Sequence, residues 1–205
     1  GDSAGFLGDT WSWNGTGWTL HSPPSSPPAR SHHAMATQGA KAWLFGGGDT
    51  SGVLSDTWAW DGTSWSPMNP PTSPSARQQH AMAPLGAKIV LFGGFNGNTL
   101  ADTWEWSGST WTQRLALTPP PARFGHAMAT LGSKVVLFGG TTSTTPLSDT
   151  WEWNGTAWTQ RTTPVSPPAG LRVSMTTVGA EIVLFTNGET CAWDGDTWTR
   201  RRSAT

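Results

Sequence analysis

The sequence is poor in charge and in several reactive residue types. Its 205 residues include no tyrosine, one cysteine (Cys191) and three lysines, and charged residues make up only 12%, with a net charge of −1. A single cysteine cannot form an intrachain disulfide, and it excludes a cysteine-rich zinc site. So little charge argues against electrostatic attraction to nucleic acid or to an anionic membrane surface.

Long apolar runs and helical periodicity are also missing. No stretch approaches the roughly 18 apolar residues of a membrane span, so we expect no membrane insertion. Residues 1–20 show no signal-peptide pattern, although a signal could have been removed from a mature chain. The composition, with little charge and much Thr, Ser, Gly and Trp, is typical of a secreted microbial protein, and we therefore expect a secreted or cell-surface protein.

Tryptophan is abundant, and its positions reveal an internal repeat. Of the 15 tryptophans, only Trp43 lies outside five copies of one pattern, whose clearest copy spans residues 149–161 and begins Asp-Thr-Trp-Glu-Trp-Asn-Gly. Tryptophan at alternate positions before Asn-Gly predicts a β-hairpin with a tight two-residue turn. The other copies begin at Asp9, Asp56, Asp102 and Glu189.

Two further strands precede each of the last four hairpins. A Pro-rich connector leads into an Arg-led strand, a glycine turn and then a continuous apolar strand, as in Val135-Val-Leu-Phe138. Continuous apolar character predicts a strand that is covered on both faces. The repeated leucines Leu44, Leu91, Leu137 and Leu184 are 47, 46 and 47 residues apart. Four short strands repeated at this period predict β-propeller blades.

The repeat resembles the kelch family in its galactose-oxidase-like bacterial form. The matching features are the Arg-x-x-His strand start, the Leu-Phe-Gly-Gly doublet, the Asp-Thr-Trp-x-Trp strand and the single Trp on the last strand. The resemblance covers nearly the whole chain and implies an all-β kelch-type propeller. It implies one domain over 1–205, with a half-blade at 1–21 and four complete blades at about 30–68, 77–115, 123–162 and 172–200. In each blade, the Arg-led strand would be innermost.

Three arrangements of the ring are open. One is an incomplete five-bladed ring with a half-blade, which we favour. Another is a four-bladed closure in which residues 6–20 pair with 172–187 and leave 188–205 over. The third is part of a longer array that a neighbouring chain completes by adding strands to an open edge.

Arginine recurs at what looks like one repeat position. Arg30, Arg77, Arg123 and Arg172 would converge on the mouth of the central channel, where their planar guanidinium groups suit carboxylate or sulfate ligands. The favoured alternative is structural. The arginines recur in register with Asp9, Asp56, Asp102 and Asp149, so each could pair with one of these carboxylates.

Histidine recurs in the same strand, at His33, His80 and His126, with Met175 in the fourth place. Three imidazoles near one axis could bind zinc, copper or nickel, which makes these residues weak metal candidates. However, strand alternation places each histidine on the face opposite its arginine, between blades. A buried hydrogen-bonding role is therefore favoured.

Exposed aromatic residues are candidates for ligand contact. The paired hairpin tryptophans are expected in the core, whereas the outer-strand residues Trp18, Trp65, Trp111 and Trp158 are expected to be more exposed and could stack on sugars. The loops before the hairpins vary most between repeats. Among them, Phe95 and Asn96 are the residues best suited to ligand contact.

These features favour a non-enzymatic recognition module that binds a glycan or a protein through channel-mouth and loop residues. The alternative is a self-assembly unit, a homo-oligomer joined through the incomplete blade, and a sugar mutarotase or lyase is the third possibility. We expect no cofactor and predict no catalytic residue. Galactose oxidase uses tyrosines at its copper centre, so the lack of tyrosine excludes that chemistry here.

Overall fold

The computed structural model describes residues 5–201 and contains only β-structure in this range. Four antiparallel sheets of four strands follow one another along the chain, each with its strands in sequence order from the inside outwards. Blade A contains β3 (Ala34–Gln38), β4 (Lys41–Phe45), β7 (Thr57–Trp60) and β8 (Trp65–Met68). Blade B contains β9 (Ala81–Leu85), β10 (Lys88–Phe95), β11 (Thr99–Trp106) and β12 (Trp111–Arg114). Blade C contains β13 (Ala127–Leu131), β14 (Lys134–Phe138), β15 (Thr150–Trp153) and β16 (Trp158–Arg161). Blade D contains β17 (Ser174–Val178), β18 (Glu181–Thr186), β19 (Glu189–Trp193) and β20 (Trp198–Arg201).

Two smaller sheets complete the description. The half-blade consists of β1 (Thr10–Trp13) and β2 (Trp18–His21), and a short hairpin of β5 (Gly48–Asp49) and β6 (Gly52–Val53) lies between β4 and β7. The predicted fold class, four complete four-stranded blades plus an N-terminal half-blade, is confirmed. The four-bladed closure is wrong, because β17 and β18 pair with β19 and β20 in blade D and not with residues 6–20. No helix in the described range is long and apolar enough to cross a membrane.

The tryptophan hairpins form, but their turns are longer than the sequence pattern suggested. Trp153 pairs with Trp158, which leaves four residues in the loop. The Asn154 side-chain oxygen accepts hydrogen bonds from the backbone N–H groups of Thr156 and Ala157, both at 2.9 Å. The predicted two-residue turn is therefore wrong, because the asparagine closes the loop with its side chain instead of occupying a type I′ position.

The hydrophobic core lies mainly between neighbouring blades. In each gap, a phenylalanine from the second strand of one blade meets the outer-strand tryptophan of the next, as Phe45 meets Trp111 with ring centroids 5.2 Å apart. The Trp111 indole N–H also donates to the Thr57 hydroxyl at 3.0 Å. The same contacts recur as Phe92 with Trp158 and Phe138 with Trp198. Each blade is therefore stabilised by its neighbour across a large aromatic contact.

The innermost strands β3, β9, β13 and β17 lie side by side around a central cavity of about 340 Å³. One methionine from each strand lines this cavity: Met35, Met82, Met128 and Met175. Within residues 5–201 no comparable contact joins β17 to β3, so the blades form an open arc. The arc ends in two partly uncovered apolar faces, one on blade D and one on the half-blade.

Candidate functional site

The mouth of the central cavity is formed by one residue from each blade, immediately before the innermost strand. These channel-mouth residues are His32, Gln79, Gly125 and Arg172. Backbone hydrogen bonds link them in series across the blade boundaries: Gln79 N–H donates to His32 O, Gly125 N–H to Gln79 O, and Arg172 N–H to Gly125 O, at 2.8–2.9 Å. The blades thus hold the rim of the mouth in one rigid arrangement.

The backbone conformation of the channel mouth is unusual. His32, Gln79 and Arg172 have φ angles of 56°, 56° and 63°, in the left-handed region that favours glycine. Only the third blade uses glycine there, Gly125, with φ of 66°. Side chains in this conformation cost of order 1 kcal/mol or more each, and such strain is concentrated at functional sites. Three side chains are therefore presented at the mouth despite that cost.

A shallow cavity of about 480 Å³ adjoins the mouth on the blade A side. Its walls include Phe6, His32, Asp49 and Gln78. Burial, followed by the positive charge of Arg172, holds the pKa of His32 below its ordinary value. At neutral pH, His32 is therefore a neutral imidazole that can both donate and accept a hydrogen bond.

The predicted loop residues lie beside this mouth. Phe95 pairs through its backbone with Gln78, the neighbour of Gln79, and its ring packs against Phe124 at 5.3 Å. Asn96 follows in the tight turn between β10 and β11, where its side-chain oxygen accepts a hydrogen bond from Asn98 N–H at 3.2 Å. The aromatic pair and the polar rim therefore form one continuous surface.

The buried arginines form structural ion pairs. In blade B, both terminal nitrogens of Arg77 donate to the Asp102 carboxylate at 2.6 and 2.7 Å, and one also donates to Gly93 O at 2.9 Å. Trp104 adds its indole N–H to the same carboxylate. The arrangement repeats with Arg30 and Asp56 in blade A, and with Arg123 and Asp149 in blade C. The pairing interpretation is confirmed for these three, and their guanidinium groups are already engaged within the blade.

The ion pairs keep their carboxylates charged. Burial of Asp102 opposes ionisation, but the hydrogen bonds and the charge of Arg77 outweigh it and hold the pKa of Asp102 below its ordinary value. The same balance, with Arg123 as partner, lowers the pKa of Asp149. A bidentate pair of this kind, buried on the arginine side, is strongly directional and fixes the first strand of a blade to the third.

Arg172 was wrongly placed with the other arginines. The structural equivalent of Arg77 and Arg123 in blade D is Gly170, whose carbonyl accepts from Gly140 N–H as the Arg123 carbonyl accepts from Gly94 N–H. A Cβ at Gly170 would overlap the Thr186 hydroxyl oxygen, so an arginine side chain is not accommodated there. The repeat spacing contained this signal, because 30, 77, 123 and 170 are 47, 46 and 47 residues apart. Arg172 is instead a channel-mouth residue.

His80 and His126 occupy equivalent positions in two successive gaps between blades. His80 packs edge-on against Phe45 at 5.6 Å and His126 against Phe92 at 5.7 Å, which confirms the location between blades. Both rings are buried, as expected, and a backbone hydrogen bond between Phe45 and His80 and between Phe92 and His126 opposes the lowering of their pKa values. The geometry of these contacts is poor, because no ring nitrogen has a well-aligned partner among the described residues, so the hydrogen-bonding role stays a prediction. Burial, then the nearby Arg123 charge, lowers the pKa of His126 to about 3.

The metal prediction gains no support from this arrangement. His33 lies in the cleft between the half-blade and blade A, whereas His80 and His126 lie in the next two gaps. Within residues 5–201, no group of three His, Cys, Asp or Glu side chains is placed to hold a metal ion. The fourth histidine position is also corrected: Val173, not Met175, occupies it, since Val173 lies against Gly139 as His80 lies against Gly46.

The expected exposure of the outer-strand tryptophans is wrong for three of the four. Trp65, Trp111 and Trp158 are buried, because each faces the preceding blade and donates its indole N–H to a threonine there. Trp18 alone is exposed, at 65%. Exposed indole rings are therefore confined to the half-blade, where Trp11 and Trp13 accompany Trp18.

Sequence reasoning missed His32 and Gln79 as candidate functional residues. A signal was present, because these residues occupy the same position in successive repeats, yet the residue there changes from His to Gln, Gly and Arg. A position that varies within an otherwise regular repeat is free of the packing that holds the blade together. Only the inter-blade hydrogen bonds show that the four positions meet.

Comparison with known proteins agrees with the strand order. A family model for the KLHDC2/KLHL20/DRC7 Kelch-repeats domain matches residues 1–114 and again residues 74–199. The two matches overlap and together cover nearly the whole chain. No curated protein matches the sequence.

Proposed function

Because the chain belongs to the kelch-repeat family of β-propellers, we propose that it is a non-enzymatic module that recognises a protein through its channel mouth. Kelch-repeat domains in general mediate protein–protein interactions. The observation that supports this particular surface is the strained rim, where His32, Gln79 and Arg172 project from left-handed backbone. Glycine adopts the same conformation without the cost, as Gly125 does, so a binding role is the reason we infer for the three side chains.

The chemistry of the rim indicates the kind of partner. Arg172 is exposed and has no ion pair within residues 5–201, so its guanidinium group is available for a carboxylate. His32 and Gln79 add neutral hydrogen-bonding groups, and Phe95 with Phe124 adds an apolar patch. This combination suits an acidic peptide segment that carries an apolar side chain.

The test is binding of selected peptides to the channel mouth. Peptides enriched from a displayed random library on the immobilised chain should contain Asp or Glu next to an apolar residue. Arg172→Ala is expected to weaken their binding at least about tenfold, because close charge pairs in interfaces carry that much coupling energy. Affinity is measured by calorimetry or by fluorescence anisotropy.

Arg200→Ala is the charge control: it removes the same charge from an exposed strand of blade D, where Arg200 pairs with Glu189 at 3.0 Å, and it should leave affinity unchanged. The proposal fails if the selected peptides bind Arg172→Ala and the double variant His32→Ala, Arg172→Ala as well as the unaltered chain. A glycan ligand has little support, because the half-blade tryptophans are the only exposed indole rings in the described range on which a sugar could stack.

Self-assembly is the second candidate function, and the two uncovered ends of the arc favour it. Phe185 and Trp18 are the members of the repeated Phe–Trp contact that have no partner within residues 5–201, and they are 56% and 65% exposed. Trp18 of one copy could cover Phe185 of another, as Trp111 covers Phe45 within the chain. The contact joins two different surfaces, so it would generate a ring or an open chain of copies.

Light scattering over a concentration series tests this assembly. We expect a mass that rises above 21.8 kDa with concentration, and a constant 21.8 kDa for Phe185→Ala and for Trp18→Ala. Both residues are exposed, so the variants should fold normally. A mass of 21.8 kDa for the unaltered chain at every concentration would exclude assembly through these ends.

A further inference from the structure

The sequence contains four Asn-Gly dipeptides, and the fold restrains them to different degrees. They are Asn14-Gly15, Asn96-Gly97, Asn154-Gly155 and Asn187-Gly188. In such a dipeptide, the backbone nitrogen of glycine can attack the side-chain carbonyl carbon of asparagine, because glycine has no Cβ to hinder the approach. The attack requires the side chain and the turn to rotate. How firmly each asparagine is held therefore decides where this chemistry takes place.

Asn154 is held firmly in its turn. Its side-chain oxygen accepts three hydrogen bonds, from the N–H and hydroxyl groups of Thr156 and from Ala157 N–H, at 2.8–2.9 Å. The turn also lies next to Leu85 of the preceding blade. Asn14 has the same three kinds of contact in the half-blade. All three bonds must break before either side chain can rotate toward the glycine nitrogen.

Asn187 is held by a different contact. Its side-chain amide donates to Ala169 O at 2.7 Å, which ties the turn to the connector that leads into blade D. Thr186 and Glu189 pair directly on either side of this two-residue turn. The amide nitrogen, which would have to leave as ammonia, is therefore engaged, and the backbone around it is fixed.

Asn96 is the least restrained of the four asparagines. Its side-chain oxygen accepts one long hydrogen bond, from Asn98 N–H at 3.2 Å, and its side-chain amide has no hydrogen-bond partner within residues 5–201. Gly97 is exposed, and nothing lies within 4 Å of the position that its Cβ would occupy. Its N–H donates to no carbonyl in the same range. The attacking nitrogen and the side-chain amide that it attacks are therefore both free to meet.

We propose that Asn96 is a site of spontaneous deamidation, which converts a neutral side chain beside the channel mouth into an anionic one. The Gly97 nitrogen forms a bond to Cγ of Asn96 and gives up its proton, and Nδ2 leaves as ammonia, so that a cyclic imide results. Water then adds to either carbonyl carbon of the imide and breaks the bond from that carbon to the nitrogen. The product is aspartate or isoaspartate, and both carry one new negative charge.

The position of the hairpin gives this charge a consequence for binding. Phe95, which directly precedes Asn96, pairs with Gln78 beside the rim and packs against Phe124. The consequence rests on the proposed function: an acidic peptide that binds Arg172 would be repelled by a new carboxylate on this surface. At low ionic strength, we expect Asn96→Asp to weaken peptide binding about twofold to fivefold, and this difference should shrink as the salt concentration rises.

The test follows deamidation in the folded 205-residue chain. The protein is incubated in heavy-oxygen water at mildly alkaline pH, digested in ordinary water and mapped by mass spectrometry, so that only carboxylates formed before digestion carry the label. We expect conversion at Asn96 to be at least about tenfold faster than at Asn154, because two fewer hydrogen bonds restrain it. Conversion at Asn187 should also be slower than at Asn96.

The same chain unfolded in guanidinium chloride is the matched control, since no Asn-Gly dipeptide is restrained there. The rates at Asn96, Asn154 and Asn187 should then become similar. The proposal is overturned if Asn96 in the folded chain reacts no faster than Asn154 or Asn187. It is equally overturned if the unfolded chain shows the same preference for Asn96, because the flanking sequence and not the fold would then explain it.

Binding is measured separately, with the tightest acidic peptide from the displayed library. Asn154→Asp is the charge control, because it adds the same charge to a turn at the opposite end of the strands and should leave affinity unchanged. Equal affinities of Asn96→Asp and the unaltered chain at low salt would overturn the consequence for binding. If no library peptide binds the chain, the proposed function fails, whereas the deamidation rates still decide the modification.

Discussion

Arg123→Ala is expected to lower the free energy of unfolding by about 3–5 kcal/mol, the typical cost of removing one partner from a buried ion pair. The Arg123 side chain is fully buried and donates to Asp149, to Gly139 O and to Pro121 O. Its removal leaves the largely covered Asp149 carboxylate without its countercharge and releases two backbone carbonyls. It also detaches the start of blade C from the third strand of the same blade.

Urea denaturation followed by Trp fluorescence measures this loss, with Arg172→Ala as the control. Arg172 is exposed, so its removal should change stability by less than about 0.5 kcal/mol. The double variant Arg123→Ala, Asp149→Ala should be more stable than Arg123→Ala alone, because no unpaired charge remains. Equal stabilities for Arg123→Ala and Arg172→Ala would contradict the structural role of the pair.

Trp158→Ala should also destabilise the fold by about 3–5 kcal/mol, the usual range for truncating a large buried aromatic residue. The Trp158 ring packs on Phe92 of the preceding blade at 5.3 Å and on Trp153 at 5.4 Å. Its indole N–H also donates to the Thr103 hydroxyl at 2.9 Å. The substitution therefore opens a cavity between two blades and leaves a buried hydroxyl without its donor.

Trp18→Ala is the matched control, since Trp18 has the same repeat position but lies at the uncovered end of the arc. At low protein concentration, where copies of the chain are separate, its unfolding free energy should fall by less than about 1 kcal/mol. Similar losses of unfolding free energy for Trp158→Ala and Trp18→Ala would show that the inter-blade contact is not the reason why Trp158 stabilises the fold.

The blade itself could be predicted from sequence because its defining signals are local and recur. The 46- and 47-residue spacing, the tryptophan hairpins and the continuous apolar strands identified the propeller and its four complete blades. The pairing of Arg77 with Asp102 could also be inferred, since both residues recur in register within one blade. Arg172 has the residue type of this position but not its spacing, because residue 170 and not 172 lies 47 residues after Arg123.

The exposure of the outer-strand tryptophans could not be predicted in the same way. An outer strand such as β16 has the sequence of a solvent-facing edge, and nothing in it shows that Trp158 turns toward the preceding blade. The packing partner, Phe92, is 66 residues away in the chain. Burial at this position depends on a neighbour across a gap, and only the tertiary structure places that neighbour.

The sequence by itself determined the repeat, the strand order and the ion pairs within blades A, B and C, because those contacts join residues of one unit. Only the tertiary structure decided the candidate sites. His32 and Arg172 share one rim because hydrogen bonds join four successive blades there. Trp111 and Trp158 are buried because each packs on the blade before its own. The channel mouth and the buried tryptophans are both formed where blades meet, and the pattern of a single repeat carries no information about contacts between repeats.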